Sequence, residues 1–201
     1  MISSSGKTVP EDTGTYPKSA LVTTDTEIES QNMIDYLCSC GHKRIAFITS
    51  RDEGLGRCHL NGYKRSLEKN GLEYDEKLII RLKPGKRIYT IENGYNCTCE
   101  LLKSGVDFSC IYAISDTLAV GACRAIIDSG KRVPEDYCVA GADGQDIAEY
   151  YHPSITTLKY PRVETAQQSV RTLFDMIDRK KVVKRQILGG TLIERESTRK
   201  L

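Results

Sequence analysis

Short apolar runs alternate along this chain with stretches whose apolar residues recur every three or four positions. Ala20–Thr24 reads as a short strand. Ile28, Met33, Ile34, Leu37 and Cys38 then share one helical face, with Gly41 as its stop. Arg44–Thr49 is a continuous apolar strand, and Leu60, Tyr63 and Leu67 mark a second helix closed by Asn70 and Gly71. The alternation goes on with strand Leu78–Leu82 and a helix through Ile91, Tyr95, Cys99 and Leu102. Strand Cys110–Ile114 follows, then a helix from Asp116 through Ala119, Ala122, Cys123 and Ile126 to Gly130, then strand Cys138–Ala142. Val163, Ala166, Val170, Leu173, Phe174 and Ile177 form one apolar stripe, which predicts a helix over about Arg162–Arg179. Residues 1–19 have no period and read as a leader or loop.

Strands that are apolar throughout have both faces covered. Joined by helices, they predict an α/β fold: a parallel sheet with helices on both faces. Ligands in such sheets gather at the carboxyl ends of the strands. There the chain places Ser50, Arg51 and Asp52, then Ser115 and Asp116, then Asp143. An ionised carboxylate accepts several hydrogen bonds, so Asp143 suits a hydroxyl-rich ligand. Asp116 has two compatible readings, as the cap of its helix or as a cleft residue.

Composition narrows the function classes. A net charge of +2 is too small to announce a nucleic-acid or membrane partner. No apolar run approaches the roughly 18 residues of a membrane span. Met1–Pro17 holds no hydrophobic core of a secretion signal, so a cytoplasmic location is expected. Among eight cysteines, the pairs Cys38/Cys40 and Cys97/Cys99 have one intervening residue, whereas zinc sites favour two to four. Eight reduced thiols are expected, with no metal and no cofactor. Catalysis needs a base beside a nucleophile, and the histidines offer little. His42 follows Gly41 in a turn, and His152 precedes Pro153 in a loop. His59, at the start of a helix after a strand-end loop, is placed to face a cleft. The stretch Glu53-Gly54-Leu55-Gly56 lacks the Lys-Ser/Thr of a phosphate loop and the third glycine of a dinucleotide fingerprint. The basic run Arg179–Lys181 with Lys184 and Arg185 reads as a solvated turn. The chain is not expected to be an enzyme.

Six segments in register resemble the LacI/GalR family of bacterial transcriptional regulators. They are Gly41–Ile48, Gly62-Tyr63 with Leu67 and Gly71, Ser115-Asp116 through Ala122, Val133–Asp136 through Asp143, Pro153 with Thr156-Thr157, and Leu192–Thr198. The resemblance implies a periplasmic-binding-protein-like type I fold, mainly its C-terminal lobe. Two α/β lobes would enclose a small sugar-like or nucleoside-like effector. DNA would be read only through a headpiece that this chain lacks, and a homodimer is expected. The implied organisation is 1–25 as leader and remnant strand of the first lobe, and 26–158 as the C-terminal lobe. Residues 159–180 would form a crossover and a first-lobe helix, and 181–201 a return to the C-terminal lobe and a tail.

The resemblance also carries over site positions. Asp143 takes the place of the family's cleft aspartate and Ser115 a polar cleft position. Tyr89, five residues before Gly94, falls where an aromatic packs on the ligand. Tyr160 falls at another cleft position. The family's cleft arginine is replaced by His59, with Arg57 two residues earlier as a substitute, and a second aspartate after Asp143 is replaced by Gly144. A solute-binding protein of a transport system shares this fold and is the alternative reading.

Overall fold

The computed structural model describes residues 19–51, 54–85 and 87–201. The elements run β1 (Leu21–Thr24), α1 (Thr26–Ser39), β2 (Ile45–Thr49), α2 (Gly54–Lys69), β3 (Ile79–Arg81), α3 (Ile91–Lys103), β4 (Cys110–Ala113) and α4 (Asp116–Asp128). They continue with β5 (Cys138–Asp143), α5 (Asp146–Tyr150), β6 (Thr156–Lys159), α6 (Arg162–Ile177), β7 (Arg185–Leu188) and β8 (Thr191–Ile193).

A six-stranded sheet carries the order β3-β2-β4-β5-β6-β8. It is parallel except at its edge, where β8 runs antiparallel to β6. Helix α1 packs on α2, and α3 on α4, flanking this sheet. Every residue of β2 and β4 is buried, as sequences apolar but for the terminal Thr49 of β2 require. Phe47 of β2 stacks on Tyr63 of α2 at 5.1 Å and on Tyr112 of β4 at 5.2 Å. The Tyr63 hydroxyl avoids an unpaired burial by donating to the Ile45 carbonyl at 2.9 Å.

Helix ends follow from local chemistry. Asp25 caps α1 by accepting from the backbone N–H groups of Glu27 and Ile28. Gly41, at φ +98°, turns the chain out of α1 into β2. Ser115, not Asp116, caps α4: its Oγ accepts from the Leu118 N–H at 3.4 Å.

A separate two-stranded parallel sheet, β1-β7, carries α6 against it. The chain passes between this small unit and the large sheet three times, at β1–α1, β6–α6 and β7–β8. The predicted α6 forms, but its buried positions are Ser169 and Thr172. Gln186 of β7 ties it down, donating to Thr172 Oγ1 at 3.0 Å and accepting from Gln168 at 2.6 Å. The apolar stripe lies on the open side instead, with Val163 65 % and Phe174 60 % exposed.

All eight cysteines are free thiols. Burial pushes the thiols of Cys110 and Cys123 well above their ordinary range, so they sit as small neutral apolar groups.

Candidate functional site

Parallel, neighbouring strands bring their carboxyl ends to one edge, and this builds the site. Ser115 follows β4, Asp143 ends β5, and Tyr160 follows β6. β4 pairs with β5 and β5 with β6, so the three residues stand on consecutive strands. Tyr89 joins them through α4. The Thr117 hydroxyl donates to the Tyr89 carbonyl at 3.2 Å and shares a 3.1 Å hydrogen bond with Ser115 Oγ. The Tyr89 ring remains exposed.

Asp143 adopts φ +102°, a backbone region rare for residues other than glycine. Such a conformation costs about 1–3 kcal/mol and persists only where its surroundings impose it. Its carboxylate accepts from Gln145 Nε2 at 2.9 Å and faces the Arg162 guanidinium of α6 at 3.7 Å. Burial raises its pKa, while Gln145 and Arg162 partly oppose that rise.

Asp116 is the structural centre of the same edge and is fully buried. It accepts from the Thr157 hydroxyl of β6 at 2.5 Å and from the Gln145 backbone N–H at 2.6 Å. One carboxylate therefore fixes the start of α4, the end of β5 and the middle of β6 together. Gly141 permits this: a Cβ there would lie 2.4 Å from Asp116 Oδ1. Burial pushes the Asp116 carboxyl up to about 6, opposed by the two hydrogen bonds.

The other two expected residues lie on α2. Arg57 is exposed in the first turns of the helix. His59 is buried, and its carbonyl accepts from Ser30 Oγ of α1 at 2.9 Å. Burial pushes its imidazole down to about 4, so the ring is neutral at physiological pH. His42 lies at the opposite, amino-terminal edge of the sheet, buried against Ser109 at 2.9 Å. Among the described residues, no group of three or more His, Cys, Asp or Glu side chains is placed to hold a metal ion. Sequence reasoning missed Gln145, Thr157 and Arg162, all of which touch the carboxylates from other elements. The polar run after Asp143 was the only signal for Gln145.

Comparison with known proteins bears on the family and the fold. Residues 34–198 match the family described as periplasmic binding protein-like domain. The chain is 40% identical over 146 residues to the HTH-type transcriptional regulator MalR of Clostridium butyricum, covering 73% of this chain and 42% of that protein. It thus spans less than half the length of that relative, and half the length of the Escherichia coli regulator AscG. A sugar-binding LacI-family regulator from Escherichia coli, solved with phosphate, superposes with a TM-score of 0.82 at 32% identity, over 90% of this chain and 64% of that one. A LacI-family regulator from Enterococcus faecium with bound ribose gives a TM-score of 0.82 at 29% identity, over 100% and 71%. These relatives are named as transcriptional regulators, not as enzymes. Sheet order, the three crossovers and these matches together make the chain a member of the periplasmic binding protein-like domain family, of the effector-binding type found in LacI-family transcriptional regulators.

Proposed function

We propose that this chain senses a sugar-like effector for a LacI/GalR-type transcriptional regulator. The ligand sits between the carboxyl edge of the six-stranded sheet and the lobe to which β1, β7 and α6 belong. DNA is read by a headpiece outside these residues, in the cytoplasm. Among the described residues no helix is long and apolar enough to cross a membrane. The observation that carries the reading is the placement of Ser115, Asp143 and Tyr160 on three consecutive strand ends. A strained carboxylate beside a phenol can accept ligand hydroxyls and cover an apolar sugar face. The bound ribose of the Enterococcus faecium relative supports the sugar class. In this reading Ser115, Tyr89, Tyr160 and Asp143 contact the ligand, and Arg57 and His59 lie on the α2 side.

A thermal-shift screen against neutral sugars and nucleosides tests it, since a ligand specific to the folded state raises the melting temperature. At least one sugar is expected to stabilise the chain. Asp143→Ala is expected to weaken that sugar about tenfold or more, the loss of a charge-assisted hydrogen bond. Equal binding by wild type and Asp143→Ala would remove the carboxylate from the site.

The open face of α6 supports a second element, self-association. Leu173, Phe174 and Ile177 are 44 %, 60 % and 64 % exposed on one stripe. A contiguous apolar face of this kind marks an interface. The simplest closed arrangement is a two-fold dimer with α6 at the contact. Light scattering at tens of micromolar is expected to show a dimer, and Phe174→Glu a monomer. A monomeric wild type, or a dimer indifferent to Phe174→Glu, would refute the assignment.

A further inference from the structure

Glu29 stands out among the buried groups that the site does not use. It lies in the first turn of α1, on the face that also buries Met33 and Leu37, and is only 3 % exposed. Neither carboxylate oxygen has a well-aligned hydrogen-bond donor. The Thr24 hydroxyl and the Gly190 backbone N–H lie beside it and offset only part of the cost of burial. Among the described residues no cation pairs with it.

Its position matters more than its burial. Thr24 ends β1, so its hydroxyl belongs to the first crossover. Gly190 lies between β7 and β8, on the third crossover. A Cβ on Gly190 would lie 3.0 Å from Glu29 Oε1, 2.7 Å from Leu158 Cδ2 and 3.2 Å from the Lys159 carbonyl, where the second crossover begins. All three connections between the two units therefore converge on one carboxylate. Motion of one lobe against the other changes backbone angles at a few connecting residues. Here such a motion cannot leave the surroundings of Glu29 unchanged.

We propose that Glu29 is a proton-sensitive pivot, whose protonation holds the three connections packed and whose ionisation loosens them. The groups facing it favour the neutral form. Asp25 on the first crossover adds negative charge. Tyr112 of β4 and Tyr160 of the second crossover, both sensitive to its charge, supply phenols in place of cations. Asp116 and Asp143 act on the Tyr160 phenol, and Asp25 is the carboxylate that acts on Glu29 itself. Burial above all raises its pKa to about 7. An ordinary glutamic acid titrates at 4.5, so the packed pivot binds a proton on the order of a hundredfold more tightly than a hydrated one. Opening the crossovers to water would release that proton, and a ligand favouring either arrangement would shift proton occupancy near neutrality.

The inference rests on the interlobe reading only in treating the three crossovers as the hinge, and its test uses no sugar. Carbon-13 NMR titration of the Glu29 side-chain carboxyl is expected to give a midpoint near 7. Hydrogen-exchange protection factors at the Asp25, Tyr160 and Gly190 amides are expected to fall several-fold between pH 6 and pH 8. Glu29→Gln, which mimics the protonated acid, should abolish that fall, while Asp116→Asn should keep it. A midpoint in the ordinary carboxylate range, or an undiminished fall in Glu29→Gln, would overturn the proposal. Failure of the sugar screen would leave these outcomes intact, so the two readings stand or fall separately.

Discussion

Gly121→Ala is expected to destabilise the chain by about 3 kcal/mol, although alanine is the better helix former by roughly 1 kcal/mol. The reason is how α3 and α4 meet. A Cβ at Gly121 would lie 2.1 Å from the Ile91 carbonyl oxygen and 2.7 Å from the Tyr95 nitrogen. Reciprocally, a Cβ at Gly94 of α3 would lie 2.2 Å from the Leu118 carbonyl oxygen. The obstacles are backbone atoms of a neighbouring helix, which cannot rotate away as a side-chain tip does. The helices must separate, and Leu118, Ala122 and Ile126 then lose contact with the sheet. Urea unfolding with a constant slope measures the cost. Gly189→Ala is the control: nothing lies within 4 Å of its added methyl, and a change within about 0.5 kcal/mol is expected. Gly94→Ala combined with Gly121→Ala should cost less than the sum, because both open the same contact. A Gly121→Ala chain as stable as wild type would show that the two helices do not cross this closely.

The fold was readable where the chain is apolar without interruption. β2, β4 and β5 and the helices between them follow from period alone, because both faces of these strands are covered. β7 and β8 are three or four residues long, half exposed and next to basic or glycine residues, so no hydrophobic run marks them. β6 is buried over Thr156–Leu158, yet two of those three residues are threonines whose hydroxyls bond Asp116, Arg195 and Thr198. Side-chain hydrogen bonds there replace the apolar signal. In α6 the stripe was visible but not the side that packs, because Ser169 and Thr172 face Gln186 through polar contacts. The strand ends located Ser115 and Asp143. Arg162 and Thr157 reach the same carboxylates only through tertiary placement, which no spacing records. Glu29 was masked by an ordinary rule, since acidic residues are common near helix N-termini. Its spacing from Met33 and Leu37 was the readable clue that it is buried.

Asp116→Ala is expected to cost about 2–4 kcal/mol and to disable the site, whereas Asp116→Asn should cost far less. Alanine leaves the buried Thr157 hydroxyl and the Gln145 N–H without an acceptor. Gln145 in turn holds Asp143 in its strained conformation, so the loss passes to the ligand-accepting carboxylate. Asparagine keeps one acceptor for the Gln145 N–H and can donate to Thr157 Oγ1, so both contacts survive with one reversed. Acidity separates the two variants further. The folded Asp116 carboxyl titrates at about 6, against 3.8 for an ordinary aspartic acid. The folded state therefore holds this proton more tightly, and the associated stability is present below pH 3.8 and lost as pH rises through about 6. The full swing is on the order of 3 kcal/mol for this group. In urea melts the difference between wild type and Asp116→Asn should thus change across that window and stay constant above about pH 7. A difference that is flat from pH 4 to pH 7 would mean that Asp116 titrates as an ordinary carboxylate, and that the bridge between β5 and β6 is not buried.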